Sequence, residues 1–429
     1  MHKNENRPGY KNSKVGWIPD AWDVAPISQV TSYVDYRGKT PYKSSAGRFL
    51  VTAKNIQQGF INYETSKEYI PEETYSSVMS RGLPKIGDVL ITTEAPLGNI
   101  ALIDREDIAL AQRVIKYRAN PSQLSGSFLN HFMMSPVFQT FLDLEATGGT
   151  VRGIKGSRLH RLPIALPPLP EQKAIAGVLE SWDKGIRNLE LKIEKKRLIK
   201  NGLLQRLLSG KQRFKGFTKV WKSVRLGDVA SVNDKALGQN TEDNYDFYYI
   251  DLSCIKEGTI TLPSNKIKFK NAPSRARRIF KRNDVLMATV RPNLLGHCYV
   301  DFDSEDKICS TGFAVVSGQQ GMLDNRFFYA HLFGDKLNTD IQNLLTGSSY
   351  PSINSTDVEN LSFDLPPLDE QQAIAQVLSA ADDEIEALEK KLALWKDQKN
   401  FLLNNLVTGT MRLPQFCVQE TTKQETQPN

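Results

Sequence analysis

The segment Leu166-Pro-Pro-Leu-Pro-Glu-Gln-Lys-Ala-Ile-Ala-Gly-Val-Leu179 recurs 199 residues later as Leu365-Pro-Pro-Leu-Asp-Glu-Gln-Gln-Ala-Ile-Ala-Gln-Val-Leu378. Laid over 365–413 without a gap, residues 166–214 show 23 identities in 49 positions. A self-match at a fixed period constrains the architecture before any other feature does. The chain is built from two copies of one unit. The same offset places Trp22 on Trp221, Phe128 on Phe327, Thr147-Gly148 on Thr346-Gly347, Ile154 on Ile353 and Leu162 on Leu361. Midway it slips to 196, where Gly87-Asp-Val-Leu90 matches Asn283-Asp-Val-Leu286. Between these anchors the copies share little, so each unit is a variable region followed by a retained helix.

A chain of 429 residues is too long for one core, and two variable regions of ordinary domain size fit it. Cys254, Cys298, Cys309 and Cys417 have no CxxC spacing, which argues against a disulfide framework and a zinc site and for reduced thiols in the cytoplasm. The polar start and the absence of any run of 18 apolar residues argue against export and membrane insertion. A net charge of +7 points weakly to a polyanionic partner. Its distribution is more informative, because residues 171–210 hold 9 basic and 5 acidic groups whereas residues 370–409 hold 4 and 7.

In the first retained segment Ile175, Leu179, Trp182, Ile186, Leu189, Ile193, Lys196, Lys200, Leu203 and Leu207 follow a 4-3 spacing throughout. The second repeats it with Ile374, Leu378, Ala381, Ile385, Leu388, Leu392, Trp395, Lys399, Leu402 and Leu406. A seam sustained over five heptads predicts a coiled coil, with Leu179, Ile186, Leu189 and Ile193 set against Leu378, Ile385, Leu388 and Leu392. At 1.5 Å per residue each helix is a rod of roughly 58 Å. The Pro-Pro pairs fix the helix starts, and Ser209-Gly210 and Thr408-Gly409 supply the exits.

Charge selects the direction of pairing. An antiparallel register in which position i opposes roughly 579 − i sets Lys192, Lys195, Lys196 and Arg197 against Asp382, Asp383, Glu384, Glu386 and Glu389. It also sets Glu180 and Asp183 against Lys399 and Lys396. The alternative is that these charges are solvated and each helix packs on its own arm.

The expected fold class is α+β: two globular arms joined by two long helices that form an antiparallel coiled coil, a pseudo-twofold tandem repeat like a calliper. The boundaries are 1–165 and 215–364 for the arms, 166–214 and 365–413 for the spacer helices, and 414–429 for a disordered tail. Phe49-Leu-Val-Thr, Asp88-Val-Leu-Ile-Thr-Thr and Asp284-Val-Leu-Met-Ala-Thr-Val read as buried strands, and Leu124–Leu144 and Asn325–Leu345 as helices.

The second arm carries the clearest phosphate-binding signal. On a strand, Lys266-Ile-Lys-Phe-Lys270 puts Lys266, Lys268 and Lys270 on one face and Ile267 and Phe269 in the core. Arg275, Arg277, Arg278, Lys281 and Arg282 follow without an intervening acid. A merely solvated basic face is the competing reading. In the first arm the candidates are Arg37, Lys39 and Lys43 in Tyr36-Arg-Gly-Lys-Thr-Pro-Tyr-Lys43, and Arg152, Lys155 and Arg158 in the glycine-rich segment 148–158, where turn chemistry alone also explains the glycines. Arg291-Pro-Asn293 and Ser310-Thr-Gly-Phe313 are further polar candidates near strand ends.

No catalytic constellation is legible. There is no GxxxxGK[ST] phosphate loop, no adenine-methylating Asn-Pro-Pro-Tyr type motif, no helicase box and no HExxH, and the five histidines are scattered.

A variable region, a Leu-Pro-Pro-Leu-x-Glu-Gln helix, a second variable region and a second such helix together resemble the specificity subunit of type I restriction-modification systems. The likeness spans nearly the whole chain and rests most on 166–179 and 365–378. Gly38-Lys-Thr-Pro41, Gly87-Asp-Val-Leu90 with Gly98-Asn99, and Arg291-Pro292 with Ser310-Thr-Gly-Phe313 are similar to family features of the arms. The resemblance implies two target recognition domains, each reading one half of a bipartite double-stranded DNA site, held apart by a coiled coil that seats two modification subunits. It implies a non-catalytic chain without cofactor. The modification subunits would use S-adenosylmethionine to methylate adenine, and restriction subunits would use ATP and magnesium to translocate and cut. A rod longer than one DNA turn of about 34–36 Å suits two half-sites. A two-armed protein scaffold that touches no nucleic acid is the rival from another class; a self-sufficient methyltransferase or nuclease is disfavoured by the missing motifs.

Overall fold

Two arms that share little sequence fold with one topology, and the reason lies in where their β-branched runs fall. The computed structural model describes residues 7–36, 41–256, 258–347 and 350–421. In the first arm the fully buried strand Val89–Thr93 sits between Leu97–Leu102 and Val114–Ala119, and Thr31–Asp35 closes an antiparallel four-stranded sheet. In the second arm Val285–Ala288 sits between Cys298–Tyr299 and Phe313–Gly318, and Ala230–Val232 closes the sheet in the same order. Each arm adds a second sheet around one parallel pair, Ile108–Leu110 on Arg48–Val51 and Asp246–Ile250 on Lys307–Ser310. The fold class is therefore α+β, and the three buried runs read from the sequence are strands.

The chain divides into two compact units, Met1–Leu189 with Lys391–Asn429, and Glu190–Lys390. Each takes in one arm and portions of both long helices, Leu169–Leu208 and Leu368–Leu406. In the first unit Ile175, Ala176 and Leu179 from the start of one helix, and Leu403, Leu406 and Val407 from the end of the other, complete the arm's core around Trp22, Phe128 and Phe132. In the second unit Ile374, Ala375 and Leu378 join Leu204, Leu207 and Leu208 around Phe327, Phe328 and Phe363. Burying each such side chain stabilises by about 1.5–3 kcal/mol. The start of one helix thus packs beside the end of the other in each unit, which makes the pairing antiparallel.

The ion pairs follow the same direction. Lys196 pairs with Glu384 at 2.7 Å, Arg197 with Glu389 at 2.6 Å and Lys200 with Asp382, and in the other unit Asp183 pairs with Lys399. Trp395 packs edge-on to Trp182 at 5.7 Å and lies over Gly185, where a Cβ would approach the ring to 2.9 Å, so the helices keep the expected register, and the Asp183 carboxylate reaches Lys399, one turn from the position expected to face it. Ile186, Leu189, Ile193 and Ile385 are buried, whereas Leu388 and Leu392 are half-buried.

The Glu-Gln of the repeated motif is welded into the arm. Glu171 is fully buried and accepts hydrogen bonds from the Trp22 indole at 3.0 Å and from Arg412, both nitrogens at 2.9 Å. Glu370 repeats this with Trp221 at 3.1 Å and Arg213 at 2.8 and 2.7 Å. Each arginine follows the exit of the opposite helix. Gln172 donates to the carbonyls of Gln123 and Pro167 and accepts from Ser125, and Gln371 does the same with Met322, Pro366 and Asp324. A buried amide and carboxylate demand such satisfaction. The chain then turns at Gly409, at φ +69°, where a Cβ would meet Pro19 at 2.4 Å.

Four expectations change. The helix expected over 124–144 is two, Gly126–Met134 and Pro136–Glu145, because Pro136 disfavours a helical Ser135, whose hydroxyl instead caps Phe138. Its counterpart breaks at Gly334 into Asn325–His331 and Asp335–Asn343. The lysine-rich strand is only Ile267–Lys268, paired to Asp246 and Phe247, before a 3-10 turn Phe269–Asn271; Lys266, Lys268 and Lys270 are nevertheless exposed, with Ile267 and Phe269 half-buried. The tail expected to be disordered begins with a helix, Pro414–Thr421, led by a proline that suits a first turn; residues 422–429 lie outside the described residues.

Replacing Arg412 by alanine leaves the buried Glu171 carboxylate without its cation and should destabilise the first unit by about 3–5 kcal/mol. Hydrogen exchange should show the loss of protection in the strands around Val89–Thr93, with Val285–Ala288 unaffected.

Candidate nucleic-acid interface

The basic run of the second arm lies on an edge strand. Ala276–Ile279 pairs with Lys307–Ser310 in the sheet and is bridged on its outer side by Lys235–Leu237, and an irregularity between Ala276 and Arg278 interrupts the register at Arg277. Arg277 is half-buried, with its guanidinium 4.6 Å from the Phe269 ring and donating to the Ala276 carbonyl at 2.8 Å. Arg278 is also half-buried; burial pulls its pKa below the usual arginine value, and its Nε has no hydrogen-bond partner among the described residues. Arg275, Lys281 and Arg282 are exposed. Among the described residues none of these five forms an ion pair, so their charge is not cancelled locally. Lys266 differs, being held by Asp306 at 2.7 Å above the Tyr248 ring.

The first arm's candidates are in another state. Lys43 pairs with Glu68 at 2.6 Å, Arg152 with Asp143 at 3.0 Å and Arg158 with Glu145 at 3.6 Å. Exposed pairs of this kind are worth little to stability and can be exchanged for another anion. Arg37 and Lys39 lie outside the described residues. Lys155 is exposed beside a recess of about 330 Å³ lined also by Thr93, Glu94, Thr147, Val151, Gly153 and Ile154.

That recess marks a backbone arrangement present in both arms. At the end of the central strand, Thr93 Oγ1 donates to the Arg113 carbonyl and the Thr93 carbonyl accepts from Ile154; Thr289 does the same with Gly312 and Ile353. A small ladder folds over each threonine, Thr147 against Gly153 and Thr346 against Ser352, and each touches the strand end, at Glu94 and Val290. The next residue, Ala95 or Arg291, is left-handed, at φ 46° and 51°, and a proline follows. In the second arm the Arg291 guanidinium lies 4.4 Å from the ring centre of Tyr350 at the ladder's tip. Neither Tyr350 nor Glu94 was singled out by sequence reasoning. The signals that reach them are the 196 offset, which carries Glu94-Ala-Pro96 onto Val290-Arg-Pro292, and the 199 offset, which carries Val151 onto Tyr350.

Among the described residues no group of histidines, cysteines and carboxylates that could hold a metal ion is present. Burial holds His131 and His297 down to about 4 and His331 down to about 3, each below the usual imidazole value. His297 Nδ1 accepts from the Ala288 amide at 3.1 Å, and His331 sits among the rings of Phe327 and Phe363. Burial pushes the Cys298 thiol up to about 12 and Cys309 higher still. These are core groups. Among the described residues no helix is long and apolar enough to cross a membrane.

Comparison with known proteins gives a consistent result. The model of the type I restriction modification DNA specificity domain matches twice, at residues 19–197 and 218–394. The putative type I restriction enzyme MjaX specificity subunit of Methanocaldococcus jannaschii is 26% identical over 446 residues, covering 96% of this chain and 98% of that one. The type I restriction enzyme EcoKI specificity subunit of Escherichia coli is 24% identical over 225 residues, 48% of this chain and 46% of its own length. Among solved structures, the S subunit of a type I restriction-modification system from M. genitalium shares the fold with a TM-score of 0.58 at 16% identity, covering 90% of this chain and 96% of that chain.

Because the three core histidines are neutral in the folded protein and titrate near 6.5 when unfolded, acid favours unfolding. Their contribution is fully present above pH 6.5 and is lost as pH falls toward 4, by up to about 1.4 kcal/mol per pH unit for each. Replacing His331 by Phe should flatten the acid limb of a urea-unfolding series between pH 6.5 and 4 by one such increment.

Proposed function

The chain belongs to the type I restriction modification DNA specificity family, and we propose that its two arms read different halves of one asymmetric bipartite duplex site. In this reading the paired helices set the spacing and dock two modification subunits. The chain itself catalyses nothing. Adenine methylation with S-adenosylmethionine falls to the modification subunits, and ATP- and magnesium-dependent translocation and cleavage to restriction subunits.

The observation that carries this reading is the contrast between frame and surface. Both arms have the same strand order and the same buried Trp-Glu-Arg and Gln contacts, yet their exposed chemistry differs: an unpaired basic run at Arg275–Arg282 in one, carboxylate-paired arginines in the other. A retained frame with divergent surfaces is what two readers of unlike sequences require. Uncompensated arginines and lysines suit phosphate contacts that position a duplex, and base edges then supply the discrimination.

Replacing Arg275, Arg277 and Arg278 together by alanine, in a complex with modification subunits, should weaken binding to every duplex and lower the slope of log K against log salt by about 2–3. An unchanged slope removes this run from the interface. Exchanging residues 20–150 for the corresponding arm of a relative should alter one half of the methylated site and leave the other intact, as read by mapping methylated adenines. If both halves change, the arms are not independent readers.

A further inference from the structure

We propose that Arg278 is the seat for one phosphate of the DNA backbone, left without a counterion in the folded second arm and completed only when a duplex binds. The inference rests on the reading of this chain as a DNA specificity subunit and sets one residue of the basic run apart from its neighbours.

The five cations of that run differ in what surrounds them. Arg275, Lys281 and Arg282 are exposed, so water solvates their charge and leaving them unpaired costs little. Arg277 is half-buried, yet its guanidinium is engaged by the Ala276 carbonyl and the Phe269 ring. Arg278 has no such company. It stands opposite Cys309 in the sheet, which places its side chain on the face where Cys309 is fully buried beside Ile250 and Phe280. Its Nε is shut off from water with no hydrogen-bond partner, and among the described residues the side chain forms no ion pair. The group that acts on its charge is the Cys309 thiol, which burial pushes up and so keeps neutral.

A charged donor withdrawn from water without an acceptor destabilises the fold, and such a group marks a place that another molecule completes. Its planar fork matches two oxygens of a phosphate, and a charge-assisted bond formed where water is partly excluded is stronger than one at an exposed lysine. The exposed cations on either side draw a polyanion towards it. The strand itself is peculiar to this arm. Lys307–Ser310 has Ala276–Ile279 beside it, whereas among the described residues its equivalent Ile108–Leu110 pairs in its sheet with Arg48–Val51 alone. An added strand that carries an uncompensated arginine belongs to the surface that diverged and not to the shared frame.

The assignment requires effects of opposite sign on the free and the bound protein. R278M, which keeps the bulk of the side chain without its charge, should slow hydrogen exchange at Lys307–Ser310 in the free full chain, whereas R282A should leave exchange there unchanged. In the complex with modification subunits, R278M should weaken binding to every duplex by about 10- to 150-fold with base preference intact, and lower the slope of log K against log salt by about 0.9. Duplex should protect Lys307–Ser310 of the wild type beyond what millimolar inorganic phosphate achieves. Faster exchange in free R278M would make the arginine a structural element, and an unchanged affinity and slope would leave nothing bound to it. A loss confined to one base pair would make it a base reader, and equal protection by inorganic phosphate would make the seat one for a free anion. Each of these four results overturns the proposal. Should methionine not be accommodated, R278Q decides by the same signs. A wild-type complex that binds duplexes without sequence preference defeats the proposed function and not this assignment, which the R278M slope still decides.

Discussion

Each long helix begins with a carboxylate that no water reaches. Glu171 and Glu370 are 0% exposed, and a charge in that position is tolerable only with a cation and further donors around it. Trp22 and Arg412 supply these for Glu171, Trp221 and Arg213 for Glu370. The tryptophan belongs to the start of the arm, the glutamate to the start of its helix, and the arginine to the exit of the opposite helix. One hydrogen-bonded cluster therefore joins three distant stretches of chain. It fixes the direction of the helix pair, because the arginine arrives only if the second helix ends where the first begins.

The rest of each unit follows from that junction. Strand Asp23–Pro26 pairs with Pro163–Leu166 just before the helix, as Lys222–Arg225 pairs with Ser362–Leu365. Leucines from the end of the opposite helix then close the arm's core. The repeated Leu-Pro-Pro-Leu-x-Glu-Gln segment is thus a structural joint whose polar residues are consumed internally, and its retention across the two copies needs no ligand. The variable surfaces lie elsewhere, on the sheet edges and strand-end turns. They are free to diverge because they carry none of these contacts.

Much of this was legible in the residues. The 199-residue offset exposed the duplication, the seam and its opposite charges predicted antiparallel helices, and buried runs such as Asp88–Thr93 marked the strands. The misreadings have separate physical causes, some local and some set by strand pairing. Pro136 divides a helix whose periodicity reads as continuous, because the residue before a proline avoids the helical conformation, and the lysine-rich strand is cut short where its neighbour offers only two partners. The candidate site was only partly legible. A basic run declares itself, but whether each cation is already neutralised, as Arg152 is by Asp143 and Arg277 is not, depends on side chains that sequence distance does not bring together.

The sequence by itself determined that there are two like units, where their helices start and stop, and in which direction those helices pair, because hydrophobic period, proline placement and charge are local properties of a helix. Only the tertiary structure decided what the Glu and Gln of the motif do, which cations of the basic run remain unpaired, and that Ala95 and Arg291 are both left-handed at the ends of equivalent strands. Those outcomes depend on burial and on contacts between separate stretches of chain, up to 241 positions apart for Arg412 and Glu171, and it is the folded core that removes water and makes such contacts obligatory.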